Sequence, residues 1–153
     1  MPTIQKQIQI EARPTGVFRF CHDMDRRPEW DERVTRVSIL TPKPIRRGTV
    51  IRIDTEPPMG DVFSWEGEYR EFHFPSSSRL DVIDVAPSSH FVEGSEVWEF
   101  RRSGNGTELS LLWKYRPRGI LGTVLDLTVR RHAVRRAVAQ SLENLKEMIE
   151  AEA

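Results

Sequence analysis

Arg131 stands in an otherwise apolar helical stripe, Ile120, Val124, Leu127, Arg131, Val134, Val138, Leu142, Leu145 and Ile149, whose steps are three and four. A guanidinium on such a face snorkels to water, pairs with an inward carboxylate, or holds an anionic group of a ligand. Arg135 follows about forty degrees around the helix, and Thr128 borders the same surface. Together they are candidates for gripping a carboxylate or an enolate. Asp84 shares parity with Leu80 and Val82 and is the competing structural partner for Arg131.

For acid–base chemistry the candidates are His22, His73, His90 and His132, with Tyr69 and Tyr115. No pair has the spacing of a nucleophile and its base. There is no GxSxG, no HExxH and no glycine-rich phosphate loop. The single cysteine, Cys21, reads as a small apolar residue on a helix, and no cysteine or histidine spacing suggests a metal, so no cofactor and no metal are expected. The cluster RRHAVRR at 130–136 reads either as a contact for phosphates and membrane surfaces or as a solvated, partly inward group, the latter being favoured. Acidic and basic residues balance at 23 each, and no aromatic RNA-binding signature is present, which argues against a nucleic-acid partner.

The elements that must position these residues follow from hydrophobic period and turn chemistry. TIQKQIQIEA alternates Ile4, Ile8 and Ile10 on one parity, as a half-buried strand does. Pro14 opens a short helix carrying Val17, Phe18, Cys21 and Met24, and a second turn of helix begins at Pro28. Between residues 34 and 115, six strand-like runs are cut by TPKP, TEPPMGD, FPSSS, APSSH and SGNG, which implies an antiparallel meander and seven strands in all. The last third, from Gly119 onward, has no proline and reads as one long amphipathic helix with an irregular start near Gly119 and Gly122. The order predicts an α+β protein built as a single domain over 1–153, a length sufficient for one core.

A sheet that packs a helix on one face presents alternate residues to it. The heavier parity places Phe63, Trp65 and Tyr69, then Leu80 and Val82, Trp98 and Phe100, and Leu109, Leu111, Trp113 and Tyr115 on the inner face, with Val37, Ile39, Ile51 and Ile53 completing it. These rings either pack solidly or line a hollow. Gly67, between Trp65 and Tyr69, makes room or marks a bulge.

The ordered set IQIEARPTGVFRFCHDMDRRPEW, GNGTELSLLWKY and SLENLKEMIE resembles the START-like, polyketide cyclase/dehydrase-type (SRPBCC) superfamily over the whole chain. The resemblance implies a helix-grip fold: a seven-stranded curved sheet wrapped around the long C-terminal helix, two short helices after the first strand, and an elongated apolar cavity between sheet and helix. It also implies a hydrophobic ligand of lipid, polyketide or aromatic type, with cyclisation or dehydration in some members.

In a meander the loops at 55–61, 86–90 and 116–120 share one end of the sheet, which is the expected mouth. Met59 and His90 sit there with Ile120 and Leu121. Trp30, set among charges and proline in RRPEWDER, either covers that entrance or packs against the first helix. The expected ligand contacts are therefore Arg131, Arg135, Thr128, Trp65, Tyr69, Trp98, Trp113, Tyr115, Trp30, Met59 and His90. The expected role is binding a hydrophobic small molecule whose polar or anionic end is read by Arg131 and Arg135; the alternatives are a cyclase or dehydratase using the same cavity and a protein-interaction module. The chain lacks an apolar run long enough to span a bilayer and a secretory h-region, so a cytoplasmic monomer or homodimer is expected.

Overall fold

The computed structural model describes residues 1–56 and 62–152. Seven antiparallel strands, β1 (Thr3–Ile10), β2 (Val34–Ile39), β3 (Val50–Thr55), β4 (Phe63–His73), β5 (Ser77–Val85), β6 (Phe91–Ser103) and β7 (Gly106–Pro117), form one sheet in the order β1-β7-β6-β5-β4-β3-β2. β2 to β7 run as the meander read from the turns. β1 closes against β7 instead of β2, with Ile4 opposite Trp113 and Ile10 opposite Thr107. The inner face of this sheet grips the C-terminal helix, so the architecture is the helix-grip α+β fold.

Two short helices, α1 (Pro14–Cys21) and α2 (Arg27–Trp30), fill the gap between β1 and β2. In both, proline occupies the first turn, where its missing N–H costs nothing. α1 buries Val17, Phe18 and Cys21, while α2 turns both Arg27 and Trp30 inward. Trp30 of RRPEWDER is a core residue and covers no entrance. Trp30 is fully buried, meets Trp98 edge to face at 5.8 Å, and has its backbone carbonyl capped by Asn144 of the C-terminal helix.

The C-terminal helix departs from the single stripe read in the sequence. α3 (Gly119–Leu125) is followed by a π-helical turn, Asp126–Arg130, and then by α4 (Arg131–Glu152). A π turn inserts one residue into the α repeat, which rotates whatever precedes it by about 100°. The rotation turns Asp126 inward in place of Leu127, and the apolar buried stripe begins at Val134 and continues through Val138, Leu142, Leu145 and Ile149. Ile120, Val124 and Leu127 are exposed, contrary to their place in the expected stripe, and α3 has no buried residue.

A second correction concerns Asp84. The β4–β5 ladder shifts register between Glu66 and Gly67, so that Val82 faces Gly67 while Asp84 pairs with Glu66 and Val85 with Trp65. The extra residue reverses parity along β5. Asp84 is thus exposed and offers Arg131 no inward partner. Gly67 does mark this bulge, and the space it leaves is filled: a Cβ there would lie 2.8 Å from Leu80 Cγ and 3.0 Å from Trp65 Cζ3.

Candidate functional site

The charges of RRPEWDER, more than its tryptophan, build the centre of the protein. A four-residue helical step sets Arg27 beside Asp31, and Arg27 Nε donates to Asp31 Oδ2 at 3.1 Å. Arg27 Nη2 reaches across to β6 and donates to both oxygens of Glu96, at 2.9 and 3.1 Å. Arg33 closes the ring, donating to Asp31 Oδ2 at 3.1 Å and to Glu96 Oε2 at 3.2 Å. Trp98 Nε1 donates to Glu96 Oε1 at 2.7 Å. Two guanidinium groups and two carboxylates therefore neutralise one another, with Arg27 at 2% and Glu96 at 1% exposure.

Burial by itself would push both acids toward the neutral form. The adjacent guanidinium groups prevail and hold Asp31 down at about 2 and Glu96 below its ordinary range. Arg27, equally desolvated, stays firmly charged because Glu96 and Asp31 face it. Burial raises the Tyr69 hydroxyl and the Cys21 thiol, so both remain protonated.

Above this network the sheet and α4 enclose a cavity of about 40 Å³. Its walls are apolar and aromatic, from Ile53, Phe63, Trp65, Phe91, Trp113 and Val134, and its polar end is Arg27, Arg33 and Glu96. Gly94 creates part of the shape, since a Cβ there would lie 2.9 Å from Trp113 Cη2. Among the described residues the space between the sheet and α4 is thus mostly filled by aromatic side chains, with this small polar-ended hollow left between them.

His90 lines this hollow where the β5–β6 connection meets β7, and it packs edge-on to Phe63, Phe91 and Tyr115. Burial, helped by the nearby Arg130, lowers its pKa to about 4, so the ring is neutral near pH 7. Its Nδ1 has no hydrogen-bond partner among the described residues. Beside it, the Tyr115 hydroxyl donates to Asp126 Oδ1, and Arg131 Nε donates to Asp126 Oδ2 at 3.0 Å. The π turn explains this pair: it closes i to i+5, bringing Asp126 and Arg131 onto one side. Asp126 is fully buried, and with burial it keeps the Tyr115 hydroxyl protonated well above its usual range.

Of the residues singled out in the sequence, Trp65, Trp113 and His90 are brought together around the hollow. Tyr69 and Trp98 are buried beside it, Tyr69 near Arg27 and Trp98 on Glu96. Tyr115 is committed to Asp126, Arg131 is ion-paired to the same carboxylate at 2.8 Å, and Trp30 is sealed in the core. Thr128 is exposed and hydrogen-bonded to the carbonyls of Val124 and Leu125, and Arg135 is half-buried on α4. Met59 lies outside the described residues. His22 is half-buried, with Nδ1 on Phe18 O at 2.7 Å and Nε2 on Ser78 Oγ at 2.8 Å, while His73 and His132 are exposed.

Sequence reasoning misses this network although a signal exists. Glu96 shares parity with Trp98 and Phe100, so a strand reading that turns those rings inward turns this carboxylate inward too. Arg27 and Asp31 lie at helical spacing, but on a one-turn helix that period carries no information by itself. Among the described residues no group of three His, Cys, Asp or Glu side chains is placed to hold a metal ion.

A family model described as "Polyketide cyclase / dehydrase and lipid transport" matches residues 1–150. No curated protein matches the sequence. Among solved structures, the TTHA0849 protein of Thermus thermophilus is 22% identical with a TM-score of 0.82, covering 99% of both chains. The Zhui aromatase/cyclase of Streptomyces sp. R1128 is 15% identical with a TM-score of 0.78, over 97% of this chain and 93% of its own. Ginseng major latex-like protein 151 of Panax ginseng is 9% identical with a TM-score of 0.72, over 96% of each chain. At these identities the likeness is one of fold.

Proposed function

Because the chain belongs to the polyketide cyclase/dehydrase and lipid transport family of the SRPBCC superfamily, we propose that it binds a hydrophobic small molecule between the sheet and α4. The observation carrying this reading is an aromatic hollow that ends on a buried, fully paired ion network. Such a surface suits a flat apolar body with a single polar group directed at Arg33 and Glu96. The hollow is smaller than the few hundred Å³ that enclose a drug-sized ligand, so binding requires the walls at its His90 end to part. The ordering cost of that opening favours ligands rigid enough to lose little entropy themselves.

Displacement of the fluorescent probe 8-anilino-1-naphthalenesulfonate by 2-naphthol tests the reading. Wild type should bind the probe and release it to the phenol. Val134→Phe, which puts a ring into the hollow, should abolish binding at a cost of about 1–3 kcal/mol in stability, small enough for a cooperative thermal transition to show that the variant is folded. Equal binding by the two proteins would refute this location.

His90 favours a second reading, a cyclase or dehydratase. His90 lines the hollow with a neutral ring whose Nδ1 is unpartnered among the described residues, and once the walls part that nitrogen can accept a proton from an acidic carbon, with Arg33 donating to the resulting enolate. A pKa of about 4 makes the ring a weak base at pH 7, which is why binding stands first. His90→Asn separates the two readings: an enzyme shows turnover that the variant loses while retaining probe binding, whereas a binder shows no turnover and binds the probe equally in both forms.

A further inference from the structure

Six of the eleven large apolar side chains that are exposed among the described residues fall within Gly119–Val129. Ile120 is 88% exposed and Leu121 73%, and Val124, Leu125, Leu127 and Val129 are exposed beside them. Asp126 is the single residue of this stretch that turns inward. The stretch is a helix about 16 Å long, at 1.5 Å per residue, and because α3 buries no side chain it forms an exposed apolar ridge. Monomeric proteins rarely leave so continuous an apolar surface in water.

Charge frames the ridge. Arg116 and Arg118 precede it, and Arg130, Arg131, Arg135 and Arg136 follow it. Residues 116–136 thus hold six of the 23 basic side chains and one of the 23 acidic ones, a local charge of +5 that the rest of the chain balances with −5. The one acid, Asp126, is buried and spent on Tyr115 and Arg131, and Arg116 is paired with Glu93. Arg118, Arg130, Arg135 and Arg136 form no ion pair among the described residues.

We propose that this ridge docks on an anionic lipid bilayer, with Ile120, Leu121, Val124 and Leu125 entering the interface and the arginines at both ends meeting headgroup phosphates. Convex apolar side chains flanked by cations fit a deformable surface that supplies hydrocarbon and negative charge together. A second copy of this chain is a poorer match, because a two-fold contact along the ridge would bring arginine against arginine. The ridge leaves the sheet at the end where Arg118 donates to the carbonyls of Ser89 and Ala86 and its N–H to that of His90, so docking would set the His90 side of the hollow against the membrane.

Co-sedimentation with vesicles tests this, using phosphatidylcholine alone and phosphatidylcholine mixed with phosphatidylglycerol. Wild type should pellet with the mixed vesicles at low salt, at least about tenfold more tightly than with neutral ones, and be released by high salt. Ile120→Ser with Leu121→Ser, and separately Arg135→Glu with Arg136→Glu, should each weaken pelleting by about tenfold or more. Because these residues are not part of the core, an unchanged melting temperature will show that both variants fold. Val134→Phe should pellet like wild type, so loss of the small-molecule reading leaves this one standing. Failure of wild type to pellet with either vesicle, equal pelleting with both, or a dimer in sedimentation equilibrium that the Ile120→Ser, Leu121→Ser variant abolishes would overturn the proposal.

Discussion

Arg27 and Glu96 lie 69 residues apart in the chain and meet with one guanidinium nitrogen shared between both carboxylate oxygens. The contact ties α2 to the middle of the sheet. Its partners Asp31 and Arg33 bring the start of β2 into the same knot. A buried pair of this kind is weak evidence for net stability, since desolvation offsets much of the attraction. Breaking one side of it is a different matter.

Glu96→Ala leaves Arg27 and Arg33 with half their compensation in a site closed to water. The expected loss is about 3–5 kcal/mol of unfolding free energy, read from urea denaturation. Glu96→Gln keeps the acceptor for Trp98 and should lose less. A Glu96→Ala variant as stable as wild type would mean that water enters the network.

Gly67→Ala pushes a methyl group against Leu80 and Trp65. Overpacking of this kind costs about 1–3 kcal/mol. Shortening the opposing side chain with Leu80→Ala should cost less in the Gly67→Ala background than in wild type, and the thermodynamic cycle measures that coupling.

Tyr115→Phe removes the hydroxyl donor from the buried Asp126 carboxylate and leaves it with Arg131 alone. A loss of about 1–3 kcal/mol is expected. The weakening should appear locally, as faster amide exchange across the π turn.

The pH dependence separates two kinds of group. Burial lowers the pKa of His22 from the ordinary 6.5 to about 4, and His90 is lowered to a similar value. A histidine depressed in the folded state is protonated first in the unfolded chain. Its contribution is intact above about 6.5, falls as the pH drops toward 4, and changes no further below that. For the half-buried His22, hydrogen-bonded through both ring nitrogens, the whole step is at most about 3 kcal/mol. Asp31 has the opposite origin but the same direction at lower pH: its stabilisation is present above 3.8 and is lost as the pH falls through about 2. Urea unfolding of wild type and His22→Gln, followed from neutral to acidic pH, should show a constant difference above about pH 6.5, a shift against wild type on the way down to about pH 4, and a constant difference again below it.

Much of the fold was legible because its signals are local. Period-2 alternation, proline and glycine punctuation and the proline-free tail depend on neighbours within a few residues, and they located seven strands, two short helices and the C-terminal helix. The inward rings Trp65, Tyr69, Trp98, Trp113 and Tyr115 followed from parity wherever the ladder is regular. Parity failed at Asp84, where a bulge adds one residue, and at Ile120, Val124 and Leu127, where the π turn does the same to a helix. In both places one residue, invisible in the hydrophobic pattern, reverses or rotates everything beyond it.

The sequence by itself determined the order of elements, the apolar inner face and the basic stretch beside an apolar one, since each is a property of a short run of side chains. Tertiary structure alone decided which charges meet. Arg27, Asp31, Arg33 and Glu96 come from two distant segments, and their burial as ions is tolerable only because all four arrive together. It also decided how much space remains among the rings, because a volume of about 40 Å³ is a small difference between large packed volumes that no pattern of residue types encodes.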